Sequence, residues 1–65
     1  VKLIMKTEFD NLRLNDDHGY ETDSNGDKQV VKIYCGEQLI AKKIKQKKSL
    51  RYFGIDGYEK FLTSD

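Results

Sequence analysis

Gln29-Val30-Val31-Lys32-Ile33-Tyr34-Cys35, Gly36-Glu37 and Gln38-Leu39-Ile40-Ala41-Lys42-Lys43-Ile44 form the stretch on which the fold turns. Its first flank is rich in β-branched and aromatic residues. Glycine at the first central position of a two-residue loop supplies the positive φ of a type II′ hairpin turn. The pattern predicts a β-hairpin over 29–44, with Cys35 opposite Gln38, Tyr34 opposite Leu39, Ile33 opposite Ile40, Lys32 opposite Ala41 and Val31 opposite Lys42. In that register one face gathers Val31, Ile33, Cys35, Ile40 and Ile44 and is the better core. The other gathers Val30, Lys32, Tyr34, Leu39, Ala41 and Lys43, a half-exposed surface. A three-residue loop including Gln38 would re-pair every residue, because side chains alternate between faces with a period of two.

Before this hairpin, the polar stretch from Asn15 to Lys28 reads as a loop, or as one weak strand followed by a turn. Asn25-Gly26 tolerates the backbone of a tight turn, so Tyr20 to Asp23 is expected to pair back against Lys28 to Val31. At the start of the chain, Val1, Leu3, Met5, Thr7 and Phe9 alternate with mostly charged neighbours, the pattern of a half-buried strand. The alternation breaks at Asp10-Asn11, where a bulge or turn would absorb the slip into Leu12 and Leu14. After the hairpin, a basic connection Lys45-Gln46-Lys47-Lys48-Ser49 leads to a strand at Leu50–Ile55. Asp56 then stands as an N-cap with Glu59 as its reciprocal partner, and Tyr58, Phe61 and Leu62 follow at helical spacing, predicting a short helix from Gly57 to about Thr63.

A length of 65 residues fits one small domain, 1–65. A core of this size rarely supplies more than roughly 3–5 kcal/mol, and self-association of the chain as a homodimer is one source of further stability. Cys35 is the only cysteine and His18 the only histidine, so no intramolecular disulfide and no Cys/His metal cluster is expected. A reducing, cytoplasmic setting follows. The longest apolar run, Leu3-Ile4-Met5, is too short for a signal-peptide core or a membrane span, so no membrane partner is expected. Residues 1–28 carry four bases and seven acids, net −3. Residues 29–65 carry eight bases and four acids, net +4, and the two sum to the overall +1. The near-neutral total marks neither a polyanion binder nor an acidic mimic, but the chain is electrically lopsided.

Four chemistries each meet a simpler reading in this sequence. Glu21 to Asp27 begins like a calcium loop, but its twelfth position is Lys32, which lacks the completing carboxylate, so a plain acidic turn is favoured. Asp16-Asp17-His18 has the composition of a carboxylate-oriented base without a nucleophile near it, and a solvated loop is favoured. Cys35 with His18 would make a thiolate pair, against which Cys35 reads as a buried structural residue of the apolar hairpin face. The glycines show no phosphate-loop or dinucleotide spacing. No catalytic, cofactor-binding or metal-binding residue is assigned, and an enzyme is not expected.

The strongest functional signal is the basic stretch Lys42, Lys43, Lys45, Lys47, Lys48 and Arg51, followed by Tyr52 and Phe53. Cations track a phosphate backbone while aromatic faces stack on unpaired bases. The competing reading is a solvated edge whose lysines deter aggregation. The candidate binding surface is Lys32, Tyr34, Lys43, Lys45, Lys47, Lys48, Arg51 and Tyr52.

The segments Val31-Lys32-Ile33-Tyr34-Cys35-Gly36-Glu37-Gln38-Leu39-Ile40-Ala41, Phe53-Gly54-Ile55-Asp56 and Tyr58-Glu59-Lys60-Phe61 resemble small uncharacterised proteins carried by phages and mobile elements of Gram-positive bacteria. The resemblance covers the second half of the chain and carries over no functional residue. It implies a cytoplasmic accessory protein that binds a host or phage macromolecule.

The fold expected is α+β, an antiparallel sheet of three to five strands with the 29–44 hairpin central and a short C-terminal helix packed on it. Its expected core is Leu3, Met5, Val31, Ile33, Ile40, Ile44, Phe53, Ile55, Phe61 and Leu62. The expected function is a non-enzymatic module, a regulator or inhibitor that binds another protein through a sheet edge or face. Nucleic-acid binding through the basic, aromatic-containing strand surface is the second expectation, and a structural domain that self-associates the third.

Overall fold

Phe9 and Leu12, three residues apart, lie on the same side of a helix, and in the computed structural model, which describes residues 1–62, both are fully buried. They belong to α1 (Lys6–Leu14), preceded by the two-residue strand β1 (Lys2–Leu3). The expected N-terminal strand is therefore corrected to a short strand and a helix. Leu3 and Met5, read as core, are each 67% exposed, and Ile4, of opposite parity, turns inward instead. The helix begins where Glu8 Oε1 accepts the Met5 N–H at 3.1 Å, satisfying one of the open first-turn donors. Lys6 and Asp10, an i,i+4 ion pair at 3.0 Å, span what the alternation suggested was a break. Period two failed here because both readings fit a nine-residue amphipathic stretch. The apolar sheet face needed a cover, and tertiary burial decided between them.

The remaining strands are β2 (His18–Asn25), β3 (Lys28–Cys35), β4 (Gln38–Gln46) and β5 (Ser49–Gly54), followed by a 3-10 turn at Tyr58–Phe61. All pair antiparallel in the order β1-β5-β4-β3-β2. The antiparallel sheet and the small α+β class agree with the sequence. The helix does not lie at the C-terminal end: it comes early, and a single 3-10 turn stands where the late helix was expected. Asp56 does not cap that turn. Gly57, at φ 83°, takes the N-cap position without a side-chain bond, while Asp56 faces the terminal amine at 3.8 Å and Glu59 faces Lys2 at 3.5 Å. The expected helix end at Thr63 lies outside the described residues.

The β2–β3 loop is Gly26-Asp27, one residue later than expected, with Asn25 opposite Lys28 and Tyr20 opposite Ile33. The shift puts glycine first in the loop at φ 61°, as Gly36 is at φ 64° in the β3–β4 loop, and neither following residue has positive φ. Both glycine turns thus fit the II′ pattern, which suits the right-handed twist of the strands.

The core holds Phe9, Leu12, Val31, Ile33, Ile40, Ala41 and Tyr58, with Ile4, Cys35, Tyr52, Ile55, Phe61 and Leu62 packed around it. Val31, Ile33 and Ile40 are buried as expected, while Ile44 and Phe53 are only half-buried. Gly54 allows Tyr58 to lie against β5, and Tyr58 Oη donates to Glu8 Oε2 at 2.6 Å, tying the last turn to α1. This bond is the main cause holding the Glu8 carboxyl below its ordinary range, with the Met5 N–H adding to it, and it pushes the Tyr58 phenol up to about 12. At the other end of α1, His18 Nδ1 is 2.9 Å from the Leu12 carbonyl. A carbonyl only accepts, so Nδ1 carries the proton and closes one open helix carbonyl.

Candidate functional site

A nine-residue helix is about 13 Å long, whereas eight- and nine-residue strands run about 26–30 Å. The helix therefore covers half of one sheet face, and no element among the described residues packs on the other face. What that outer face carries is set by the β3–β4 register. Near the turn the pairs are as expected, Cys35 with Gln38 and Tyr34 with Leu39. Beyond them the register shifts: Ile33 pairs with Ala41, Lys32 with Lys42, Val31 with Lys43 and Val30 with Ile44. Ile40 is the extra residue of a β-bulge, and it and Ala41 are both buried in the core beneath α1. A bulge reverses the parity of every later residue of its strand.

The two faces are accordingly redrawn. Directly paired residues share a side, so Glu21, Lys32, Lys42, Phe53 and Leu3 form one outer row, and Asp23, Val30, Ile44 and Arg51 the next. Tyr34 with Leu39 and Lys28 with Gln46 complete the face. Of the expected binding surface, Lys32, Tyr34 and Arg51 lie here. Lys43, Lys45 and Tyr52 lie on the helix side, where Tyr52 rests against Phe9 with ring centroids 5.2 Å apart. Lys47 and Lys48 form the β4–β5 turn, with Lys47 Nζ 3.6 Å from Asp27. The eight residues therefore do not make one surface, and the expected outward placement of Lys43 is corrected. Lys42 takes its place, joined by Lys28, Val30, Leu39, Ile44 and Phe53. One signal for this was present: Leu39-Ile40-Ala41 is a run of three apolar residues that strict alternation cannot bury together.

Apolar and cationic groups alternate across the outer face. Val1, Leu39, Lys42 and Phe53 line one shallow depression, and Lys28, Ile44, Arg51 and Phe53 another. Lys32 and Lys42 are half-buried and directly opposed, a like-charge pair that a sheet ordinarily avoids. Lys42 Nζ sits 5.8 Å from the Phe53 ring centroid, a cation–π contact. Among the described residues none of Lys28, Lys32, Lys42 and Arg51 is in an ion pair.

The acidic turn, His18 and Cys35 sit in different settings. Glu21 to Asn25 is strand, so its oxygen-bearing side chains are divided between the two faces and do not converge, and Asp27 pairs with Lys47. His18 and Cys35 are opposed across β2 and β3, but His18 is held by Leu12 and lies edge-on to Phe61 at 6.1 Å. Cys35 is half-buried at the margin of the core, where full burial was expected. Asp17 donates its N–H to Asn15 Oδ1 in the turn after α1. No helix among the described residues is long and apolar enough to cross a membrane. Comparison with protein-family models, curated proteins and solved structures gives no match.

Proposed function

We propose that this chain is a non-enzymatic binding module that docks another protein on the outer face of its sheet. The observation that carries the reading is the side chains Val30, Leu39, Ile44 and Phe53, gathered on a sheet face that no element among the described residues covers, while α1 packs on the opposite side. Burying such a group against a partner releases roughly 25 cal/mol for each Å² of apolar surface removed from water. The 33 strand residues, each about 3.3 Å along a strand and about 4.8 Å from the next strand, give a flat footprint of about 500 Å². That is at the small end of interfaces, suiting a transient regulatory contact.

The test is affinity capture by the intact chain and by two folded variants, compared by mass spectrometry. Leu39→Ser/Ile44→Ser should lose the captured partner. Leu50→Ser, at an exposed position on the helix side of β5, should retain it. Equal capture by a folded Leu39→Ser/Ile44→Ser chain would remove the outer face from the reading.

A further inference from the structure

Resting on that reading, we infer that the partner contributes an acidic segment, its carboxylates over Lys32 and Lys42 and its apolar side chains over Val30, Leu39 and Ile44. The central strands place four cations, Lys28, Lys32, Lys42 and Arg51, on the outer face with no ion pair among the described residues. The acids of this face, Glu21 and Asp23, stand on edge strand β2, and Glu21 is directly opposite Lys32 without forming an ion pair with it. Directly opposed Lys32 and Lys42 repel each other in the free chain. A pair of carboxylates set above them converts that repulsion into two attractions. Their strand positions match the roughly 5–6 Å spacing of acids at i and i+4 on a helix.

Two other occupants fit less well. A second copy laid face to face about a two-fold axis along the strands, between β3 and β4, brings Lys32 against the partner's Lys42 and the reverse. Four ammonium groups then meet in the centre of a desolvated contact, which is strongly unfavourable. Single-stranded nucleic acid needs flat rings for its bases, but Val30, Leu39 and Ile44 occupy most of the platform and Lys42 already sits over the Phe53 ring. An acidic amphipathic protein segment uses both the apolar and the cationic residues.

The probe is a displayed library of random peptides selected on the immobilised intact chain, with selected peptides then titrated in solution. Peptides enriched in Asp and Glu interspersed with apolar residues are expected. Lys32→Gln/Lys42→Gln, which relieves the internal repulsion and so keeps the fold, should weaken their binding about tenfold, and Ile44→Ser should weaken it as well. If Ile44→Ser weakens binding and Lys32→Gln/Lys42→Gln does not, or if the peptides show no acidic enrichment, the acidic partner is refuted while the face survives. If neither variant matters, or nothing is selected, the face falls too. A single-stranded oligothymidylate bound as tightly as the best peptide, with loss in Lys32→Gln/Lys42→Gln, would replace the inference with nucleic-acid binding. A dimer in sedimentation that Ile44→Ser dissolves would replace it with self-association.

Discussion

A methyl group at position 54 would point into the contact between β1 and the last turn. A Cβ built on Gly54 meets Ile4 Cγ2 at 3.0 Å and the Tyr58 ring at 3.1 and 3.2 Å, closer than carbon atoms normally pack. Gly54 is buried and paired on both sides, with Lys2 in β1 and Ala41 in β4. Its φ is not positive, so the backbone itself would accept alanine. Overpacking costs about 1–3 kcal/mol. Removing glycine from a strand returns roughly 0.5–1 kcal/mol. The steric term wins because Tyr58 is held by its bond to Glu8, leaving Gly54→Ala destabilised by about 1–2 kcal/mol. For a domain this small that corresponds to a melting temperature lower by roughly 5–15 °C, and with an m-value of about 1 kcal/mol/M the urea midpoint should fall by about 1–2 M. Far-UV circular dichroism across a urea series measures it directly. In an Ile4→Ala background the same substitution should cost less, because the 3.0 Å contact is gone. An unchanged or raised midpoint for Gly54→Ala would show that Tyr58 does not sit over β5.

Leu12→Ala removes a fully buried side chain and should destabilise by about 2–5 kcal/mol, enough to leave much of the chain unfolded at room temperature by the same circular dichroism. Gly19→Ala, with open space around it and no positive φ, should raise the urea midpoint slightly, whereas Gly36→Ala, equally open but at φ 64°, should lower it. The Glu8–Tyr58 bond sets a pH window. The Tyr58 folded value of about 12 lies above its ordinary value of 10.0, so this contribution is fully present below pH 10 and lost as pH rises through 12. The Glu8 carboxyl is lowered, so its contribution is present above the ordinary carboxylate range and lost as pH falls through the lowered value. Unfolding midpoints across pH should show both limbs, and Tyr58→Phe should flatten the alkaline one.

Local chemistry alone was enough for the turn at Gly36-Glu37, and it placed the β2–β3 turn within one residue. Gly26 and Gly36 each supply a positive φ at a cost that any other residue would raise, and the β-branched flank of Gln29–Cys35 fits a pleated, half-buried surface. The five-strand count was legible as an upper bound, because the connections from β2 to β5 are short enough for antiparallel neighbours, whereas β1, separated from β2 by α1, adds at the far edge beside β5. The candidate face was half legible: Val30, Lys32, Tyr34, Leu39 and Arg51 were found, while Lys42, Ile44 and Phe53 were not. The difference is one residue. The turn at Gly36-Glu37 fixes pairing only as far as Tyr34 and Leu39, and beyond it the register follows whatever buries the most apolar surface.

That decision belongs to the tertiary structure. Phe9 and Leu12 must lie together over β3 and β4 before Ile40 and Ala41 gain by both turning inward, and only then does the bulge exchange Lys43 for Lys42 on the outer face. The segment supplying Phe9 and Leu12 is itself ambiguous between periods of two and 3.6 until the sheet offers it a surface to cover. Turn chemistry acts within four residues and is written in the sequence. Which way each side chain faces depends on burial between segments some 30 residues apart, and packing alone settles it.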